Sequence, residues 1–483
     1  MNTILYTKTG VLIYPYKVSR LQPIVKMRSI WDPVRHRYLP VTAYPIKDDI
    51  DKALATYYIS PAYIKTLLPD YEIIEMEPNQ VIGIDEDFRL NDDVVPSEIQ
   101  AASIQTIIDQ KFHQAFFNIP TGVGKTLMSV YLTSILKMKS LIMCYNTEVL
   151  RQWYLTIEEM TTFDIRRAVI LTRSKDILAM VDGSYPTDMY DIYMCTPGLL
   201  TRFAEKNGLL ILNDALNHIG IGVKFFDEAH RNIANITKIN ALTNIDRTYY
   251  LSADFKQANH QQQKLYYHMF QSVPIIRPND NIIETMKHTN AVVVHYNTEP
   301  SLIDQESVYT RYGFNHHHYM EYQMSCDEFY QTIEKVLKSI IDTNNGHHRV
   351  LLLANMIEHV DVIAHKVEIM IKDTQYKVGR FHSRIDKNIK DDVLKNCDII
   401  VSTYQSMGVG VDVKGIRYVV SLSTVNPIED NQAAGRARAL QTGEDCFYFI
   451  FCDDGFDYNL KKLPIRLAYL KKQKLKKIFS IKY

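Results

Sequence analysis

The stretch Ile119-Pro120-Thr121-Gly122-Val123-Gly124-Lys125-Thr126 decides how the rest of the chain is read. The apolar run from Ala115 to Ile119 before it reads as a short buried strand, and Leu127 to Met138 after it has helical spacing. Strand, glycine-bearing loop, Lys-Thr and helix together form the pattern of a phosphate-binding loop. Gly122 and Gly124 let the backbone curl so that its N–H groups face an anion, and the helix N-terminus adds partial positive charge. Pro120, Thr121 and Val123 complete the loop around the phosphates. Lys125 can reach the β- and γ-phosphates of a nucleotide, and the Thr126 hydroxyl can hold Mg²⁺. Ile119 departs from the general pattern, which has a small residue there.

Outward from this loop, Val223-Lys224-Phe225-Phe226-Asp227-Glu228-Ala229-His230 is an apolar strand that delivers two carboxylates at its end. Asp227 can bind the Mg²⁺ that Thr126 also serves, and Glu228 can orient and polarise an attacking water. Upstream, Glu98-Ile99-Gln100 opens a helical pattern, and Gln100 can read the adenine edge of a nucleotide. Near the other end, Gln432-Ala433-Ala434-Gly435-Arg436-Ala437-Arg438 falls in Pro427 to Leu440, which reads as a helix start with glutamine and arginines on its early turns. An arginine presented to a γ-phosphate neutralises charge that develops in phosphoryl transfer.

From Ala115 on, short β-rich runs alternate with helical patterns: Ser140–Asn146 then Thr147–Thr161, Ile192–Thr196 then Pro197–Glu205, Val223–Phe226 then a helix, and Tyr249–Ser252. This is α/β architecture with a mainly parallel sheet, and the phosphate loop falls at a strand's carboxyl end, where ligands bind in such sheets. A second unit without a phosphate loop repeats the alternation. Its strands are expected at Ala291–His295, Arg349–Asn355, Val378–His382, Asp398–Thr403 and Tyr418–Ser423.

Lys+Arg and Asp+Glu both number 55 in 483 residues, so no global charge draws the chain to a polyanion, and nucleic-acid binding must use local basic surface. Two such places stand out. Lys17, Arg20, Lys26, Arg28, Trp31, Arg35, Arg37 and Tyr38 mix basic and aromatic residues near the start, and Tyr458 to Tyr483 is basic with no acid. In that tail Leu463, Leu467, Leu470 and Leu475 run at near-helical spacing, which predicts a helix packed on the second unit with a lysine face. The six cysteines form no C-x-x-C pair, which argues against a zinc site or a disulfide framework and for a reducing compartment. Neither a membrane-spanning apolar segment nor a signal-peptide layout is evident, so a cytoplasmic location is expected. His316-His317-His318 reads as an exposed polar turn, because three consecutive imidazoles cannot face one ion on regular structure.

Taken together, the phosphate loop, the Asp-Glu-Ala-His box and the Gln432 to Arg438 segment resemble the superfamily two helicases of the DEAD/DEAH type. Ser140 to Asn146 with Leu150-Arg151-Gln152-Trp153, and Cys195-Thr196-Pro197-Gly198, resemble that family's two nucleic-acid-contacting loops. Leu251-Ser252-Ala253-Asp254 resembles its Ser-Ala-Thr coupling motif with Asp254 in place of Thr, and Thr403 through Gly410 and Asp412 resembles its fifth motif, facing nucleotide and nucleic acid. The family's second arginine would stand where Ala439 is; this chain has Arg438 one residue early, which leaves open whether Arg436 or Arg438 is the finger. The layout is similar to the UvsW-like, XPB-like and poxviral helicases. The resemblance implies a small N-terminal α+β domain (1–91), two RecA-like parallel-sheet domains (92–285 and 286–457) and a basic tail (458–483). It also implies ATP and Mg²⁺ as cofactors, with ATP between the two domains, Gln432 and Arg436 closing on it, and nucleic acid, DNA before RNA, as partner. An RNA-directed or transcript-release helicase and a nucleotide-gated clamp with decayed catalysis remain the alternatives.

Overall fold

The computed structural model describes residues 2–15, 29–32, 37–40, 43–45, 52–84, 87–119, 123–208, 210–231, 233–253, 263, 266–267, 269–278, 289–311, 313–344, 348–408, 413, 415–437, 444–473 and 475–483. Two compact units emerge, Met1–Pro278 and Asn279–Tyr483.

The first unit begins with strands β1 (Thr3–Tyr6), β2 (Gly10–Tyr14), β3 (Ser29–Asp32), β4 (Arg37–Pro40), β5 (Ala43–Pro45), β6 (Lys52–Tyr57) and β7 (Glu72–Glu75). Five form a mixed sheet in the order β5-β6-β2-β1-β7, and β3 pairs with β4 as a separate hairpin. The basic and aromatic residues expected to offer a nucleic-acid surface lie here. Lys17, Arg20, Lys26, Arg28 and Arg35 fall outside the described residues, and Trp31, Arg37 and Tyr38 are described only as backbone of the hairpin.

Next come β8 (Gln114–Asn118), β9 (Ser140–Met143), β10 (Ala168–Ile170), β11 (Ile192–Cys195), β12 (Val223–Phe226), β13 (Arg247–Ser252) and β14 (Ile275–Ile276). They build one sheet in the order β10-β11-β9-β12-β13-β8-β14, with every neighbouring pair parallel. Runs such as Ala115-Phe116-Phe117 and Leu141-Ile142-Met143 are buried throughout, as strands covered on both faces require. Four helices carry the functional segments: α1 (Glu98–Asp109), α2 (Lys125–Leu136), α3 (Thr147–Met160) and α4 (Ile233–Leu242).

The small sheet shares a core with the parallel one. Leu12, Ala53 and Ala55 pack in the same cluster as Ile239 and Ala241 of α4. A Cβ on Gly10 would lie 2.7 Å from the Ala241 backbone nitrogen, so only glycine allows this approach. Thr7 Oγ1 donates to the Asn240 carbonyl at 2.5 Å, and Lys8 N–H to Asn244 Oδ1 at 2.8 Å. In the middle, Lys224 of β12 is fully buried and donates to Thr9 Oγ1 at 3.3 Å and Thr243 Oγ1 at 3.0 Å. Burial pushes its ammonium group down to about 7.

The second unit contains β15 (Thr289–Tyr296), the short hairpin β16 (Tyr309–Thr310) and β17 (Gly313–Phe314), then β18 (Arg349–Ala354), β19 (Val378–Phe381), β20 (Ile399–Thr403), β21 (Ile416–Ser421), β22 (Cys446–Asp453) and β23 (Leu475–Lys482). Its main sheet is again parallel at every pair, in the order β19-β20-β18-β21-β22-β15-β23. Separate apolar clusters cover its two faces. Helices α5 (Pro427–Ala434) and α6 (Asp457–Gln473) pack on one of them. The chain is therefore α/β, with two RecA-like domains in tandem after a small N-terminal sheet domain.

Two local expectations change. The basic tail is not one helix: α6 ends at Gln473, and Leu475–Lys482 adds an edge strand beside β15. Leu475 continues the leucine spacing, but Ile478, Phe479 and Ile481 supply β-favouring residues that win locally. The three histidines are exposed as expected, yet they form the first turn of helix His316–Ser325, capped by Asn315 Oδ1 accepting from His317 and His318 N–H. No disulfide joins any of the six cysteines. Among the described residues no helix is long and apolar enough to cross a membrane.

Candidate active site

The phosphate loop springs from β8. Ile119 closes the strand, fully buried, with its N–H on the Ser252 carbonyl at 3.1 Å. Pro120, Thr121 and Gly122 lie outside the described residues. Gly124 caps α2 with φ +83°, a left-handed conformation that disfavours any side chain. A Cβ there would also sit 2.6 Å from Gln100 Nε2. Lys125 begins α2 and its Nζ donates to the Ile119 carbonyl at 3.3 Å, so the amine folds back over the loop. Thr126 follows in the first turn.

Gln100 has structural engagements beside the adenine contact expected of it. Its Oε1 accepts from Ser97 N–H at 2.8 Å, while Ser97 Oγ accepts from Gln100 N–H at 3.4 Å, a reciprocal capping box at the start of α1. Its Nε2 donates to the Val123 carbonyl at 2.6 Å. The side chain is thus a strut between α1 and the phosphate loop.

The acid pair stands at the end of β12, held from both sides. Asp227 N–H donates to the Met143 carbonyl at 2.8 Å and Ala229 N–H to the Leu251 carbonyl at 2.9 Å. Asp227 Oδ2 accepts from the indole Nε1 of Trp153 at 2.9 Å, and Oδ1 accepts from Glu228 N–H at 2.9 Å. Burial and the adjacent Glu228 carboxylate push Asp227 up, while the Trp153 hydrogen bond and the Lys125 charge pull it back. A carboxylate placed so gains most from a bound cation.

Glu228 adopts φ +47°, unusual for a residue with a side chain and a mark of strain at a functional turn. Its Oε2 lies 3.2 Å from His230 Nδ1, which is also 2.8 Å from Ser252 Oγ. Burial pushes the His230 imidazole down to about 4, outweighing the Glu228 carboxylate, so the ring is neutral at pH 7. His230 thereby connects the acid box to the end of β13. Asp254 falls outside the described residues.

On the neighbouring strand ends, Asn146 Oδ1 accepts from Val149 N–H at 2.9 Å and caps α3. Tyr145 is exposed, with the Arg231 guanidinium 5.2 Å from its ring centre. Thr196 stands at the N-terminal boundary of the helix Pro197–Asn207, whose first residue is proline.

In the second unit Gln432 is buried inside α5, which ends at Ala434; Arg436 lies in the turn beyond it, partly buried. The expected helix from Pro427 to Leu440 is thus shorter, because Gly435 ends it, and helical rotation does not govern the placing of the arginines. Arg438, Gly410 and Asp412 lie outside the described residues. Asp430 on α5 is fully buried and accepts from Arg466 Nη2 of α6 at 2.7 Å and from Tyr448 OH at 2.6 Å, with a further contact from Arg466 Nε. Arg466 Nη2 also reaches Ser421 Oγ at 3.2 Å. This ion pair fixes the helix that carries Gln432.

Sequence reasoning missed the Trp153 bond, the His230–Ser252 link and the Arg466 anchor. Trp153 reads as core because it continues the apolar stripe Val149, Leu150, Ile157. Arg466 reads as one more cation in a basic tail, although it sits three residues after Leu463 and four before Leu470, on the buried face.

Comparison with known proteins follows this division. Residues 93–258 match the family model described as type III restriction enzyme, res subunit, and residues 331–439 match the helicase conserved C-terminal domain. Together the two models mark a superfamily two helicase. Among solved structures, S. cerevisiae Dbp5 bound to RNA and ADP BeF3 is 13% identical, with a TM-score of 0.56 over 80% of this chain and 90% of that one. Mss116p bound to ssRNA and AMP-PNP is 16% identical, with a TM-score of 0.53 over 80% of this chain and 74% of that one. At such identities the likeness is one of fold. No curated protein sequence matches the helicase chain.

Proposed function

We propose that this helicase is an ATP-driven motor that moves on and remodels DNA, with Mg²⁺ as its metal. The observation that carries the reading is the convergence of the Lys125 loop and the Asp227–Glu228 turn at the carboxyl ends of β8 and β12 in one sheet, close enough for the Lys125 charge to pull on Asp227. The residues fit a triphosphate. The left-handed backbone at Gly124 disfavours a side chain beside the loop, and Asp227 is a buried carboxylate that a cation would stabilise.

Gly122, Val123, Gly124 and Lys125 would hold the phosphates, with Thr126 and Asp227 on Mg²⁺. When bound, MgATP supplies the phosphoanhydride whose hydrolysis drives the cycle. Glu228 holds the attacking water and takes its proton, and neutral His230 keeps the Glu228 carboxylate oriented. In the second unit, Arg436 or Arg438 is assigned to neutralising charge that develops on the phosphates, and Gln432 to hydrogen-bonding them.

DNA is preferred because the matched first-domain model is named for a restriction-enzyme subunit and because the sequence layout resembles the UvsW-like, XPB-like and poxviral helicases, a resemblance that implies DNA as substrate and remodelling or annealing of branched DNA. An RNA-directed helicase is the second reading, favoured by the RNA in the Dbp5 and Mss116p structures. An ATPase and strand-separation assay on single-stranded, forked and four-way DNA beside matched RNA tests it. We expect stimulation by DNA, with Lys125→Ala and Glu228→Gln each lowering the stimulated rate at least about a hundredfold. Stimulation by RNA alone transfers the assignment to RNA, and a wild-type chain without stimulated hydrolysis is a clamp.

A further inference from the structure

The register of the second sheet sets a histidine beside a cysteine. β15 and β22 run parallel with His295 opposite Cys452, and both point to the same face as Val293 and Ile450. One residue past the end of β22, Asp454 turns back, its N–H on the Tyr296 carbonyl at 2.7 Å and its Oδ1 2.7 Å from His295 Nδ1. One ligand atom each from His295, Cys452 and Asp454 lies within 4.8 Å of the others. Cys452 is buried at 2% exposure, whereas the His295 and Asp454 side chains are 23% and 22% exposed, so the group is closed behind and open in front. Among the described residues the Cys452 thiol makes no hydrogen bond.

The turn is held independently of these three side chains. Asp453, buried, accepts from Thr298 N–H at 3.2 Å, Thr298 Oγ1 at 2.7 Å and Gly455 N–H at 3.0 Å. A Cβ on Gly455 would meet Pro300 Cδ at 2.5 Å, so the turn has no slack. Two ligands thus sit on rigid strand ends and the third on a braced turn, the preorganisation that a metal site needs.

We infer that His295, Cys452 and Asp454 form a binding site for a thiophilic divalent transition metal, Zn²⁺ in the first place, with the fourth position left to water. Nitrogen, sulfur and oxygen donors from three side chains are a ligand set for zinc; Mg²⁺ and Ca²⁺ take oxygen. Binding exchanges the thiol proton and the His295–Asp454 hydrogen bond for three bonds to the ion, the proton leaving to solvent. Lys482 Nζ, 3.9 Å from Asp454 Oδ2, remains on the carboxylate's other oxygen. The ion would tie the ends of β15 and β22 together and stabilise the sheet beside its edge strand.

Cobalt(II) titration of the full chain, stripped of metal by a chelator, tests the site through the thiolate-to-cobalt charge-transfer band. One Co²⁺ per chain is expected to develop the band, and Zn²⁺ to abolish it. Cys452→Ser is expected to remove the band, and His295→Ala and Asp454→Asn to weaken affinity at least about tenfold, with far-UV circular dichroism unchanged. Absence of the band in the wild type, or a band of equal strength in Cys452→Ser, overturns the proposal and leaves a plain His–Asp hydrogen bond. Should Cys452→Ser fail to fold, Asp454→Asn decides, and affinity unchanged in that variant overturns the site.

Discussion

The indole N–H of Trp153 and the carboxylate of Asp227 share a 2.9 Å hydrogen bond across 74 residues of sequence. It holds one oxygen of the acid that we assign to Mg²⁺ and favours its ionised form. Trp153→Phe keeps the ring and removes the donor. A hydrogen bond to a charged group contributes about 1.5–3 kcal/mol, so the Mg²⁺ concentration for half-maximal ATPase activity should rise about tenfold. A titration of activity against Mg²⁺ at fixed ATP measures it, and an unchanged midpoint removes Trp153 from the site.

Asp227 also predicts a pH effect in the nucleotide-free protein. Its folded-state value is raised above the ordinary carboxylate range by burial and Glu228. The sign follows: the protonated form favours the fold, so this contribution is present at low pH and lost as pH rises through the folded value. Asp227→Asn cannot titrate. Its stability should therefore fall less than that of the wild type between pH 4 and 7 in urea melts, while its ATPase activity vanishes.

Lys224 predicts the opposite half of the pH scale. Its ordinary value of 10.5 falls to about 7 in the fold, so the unfolded chain holds a proton that the folded chain releases between those values. Stability should rise as pH climbs from about 7 to about 10.5 and be flat below. Lys224→Met removes that slope. The fall from 10.5 to about 7 is worth about 5 kcal/mol, so the variant should be the more stable one at pH 7. Thr9 and Thr243 lose nothing essential, because their hydroxyls still donate to the carbonyls of Asn240 and Ile239 at 3.2 and 2.8 Å.

Arg466 should behave as a buried anchor. Arg466→Met leaves the Asp430 carboxylate in the interior without its cation, a change that costs about 3–5 kcal/mol. Asp430→Asn in the same chain should recover a good part of that loss, since the uncompensated charge is gone. Denaturant melts of the two variants check this, and a loss below about 1 kcal/mol for Arg466→Met would place the residue at the surface after all.

Residues whose role depends on local pattern were legible in the sequence. Apolar runs of four to seven residues with helices between them gave β8, β12, β18 and β20 within one residue of their observed limits, while β9 ends three residues before its expected limit, and the loop before Lys125 announced itself by its glycines. Groups whose role depends on a distant partner were not. Nothing near Trp153 points to Asp227, and nothing near Gln100 points to the Val123 carbonyl, although Ser97 and Gln100 spell a capping box locally. Charge counting also misled at Arg466, where position relative to Leu463 and Leu470 carried the information that composition hid.

The glycine at position 10 has a practical corollary. With its Cα pressed on the Ala241 backbone and Leu12, Ala53 and Ala55 seated among the residues of α4, the opening ninety residues are no detachable appendage. Cutting the gene at codon 92 would divide one interior between two products, each left with a bare greasy wall, and neither half should be expected to stay monomeric in water.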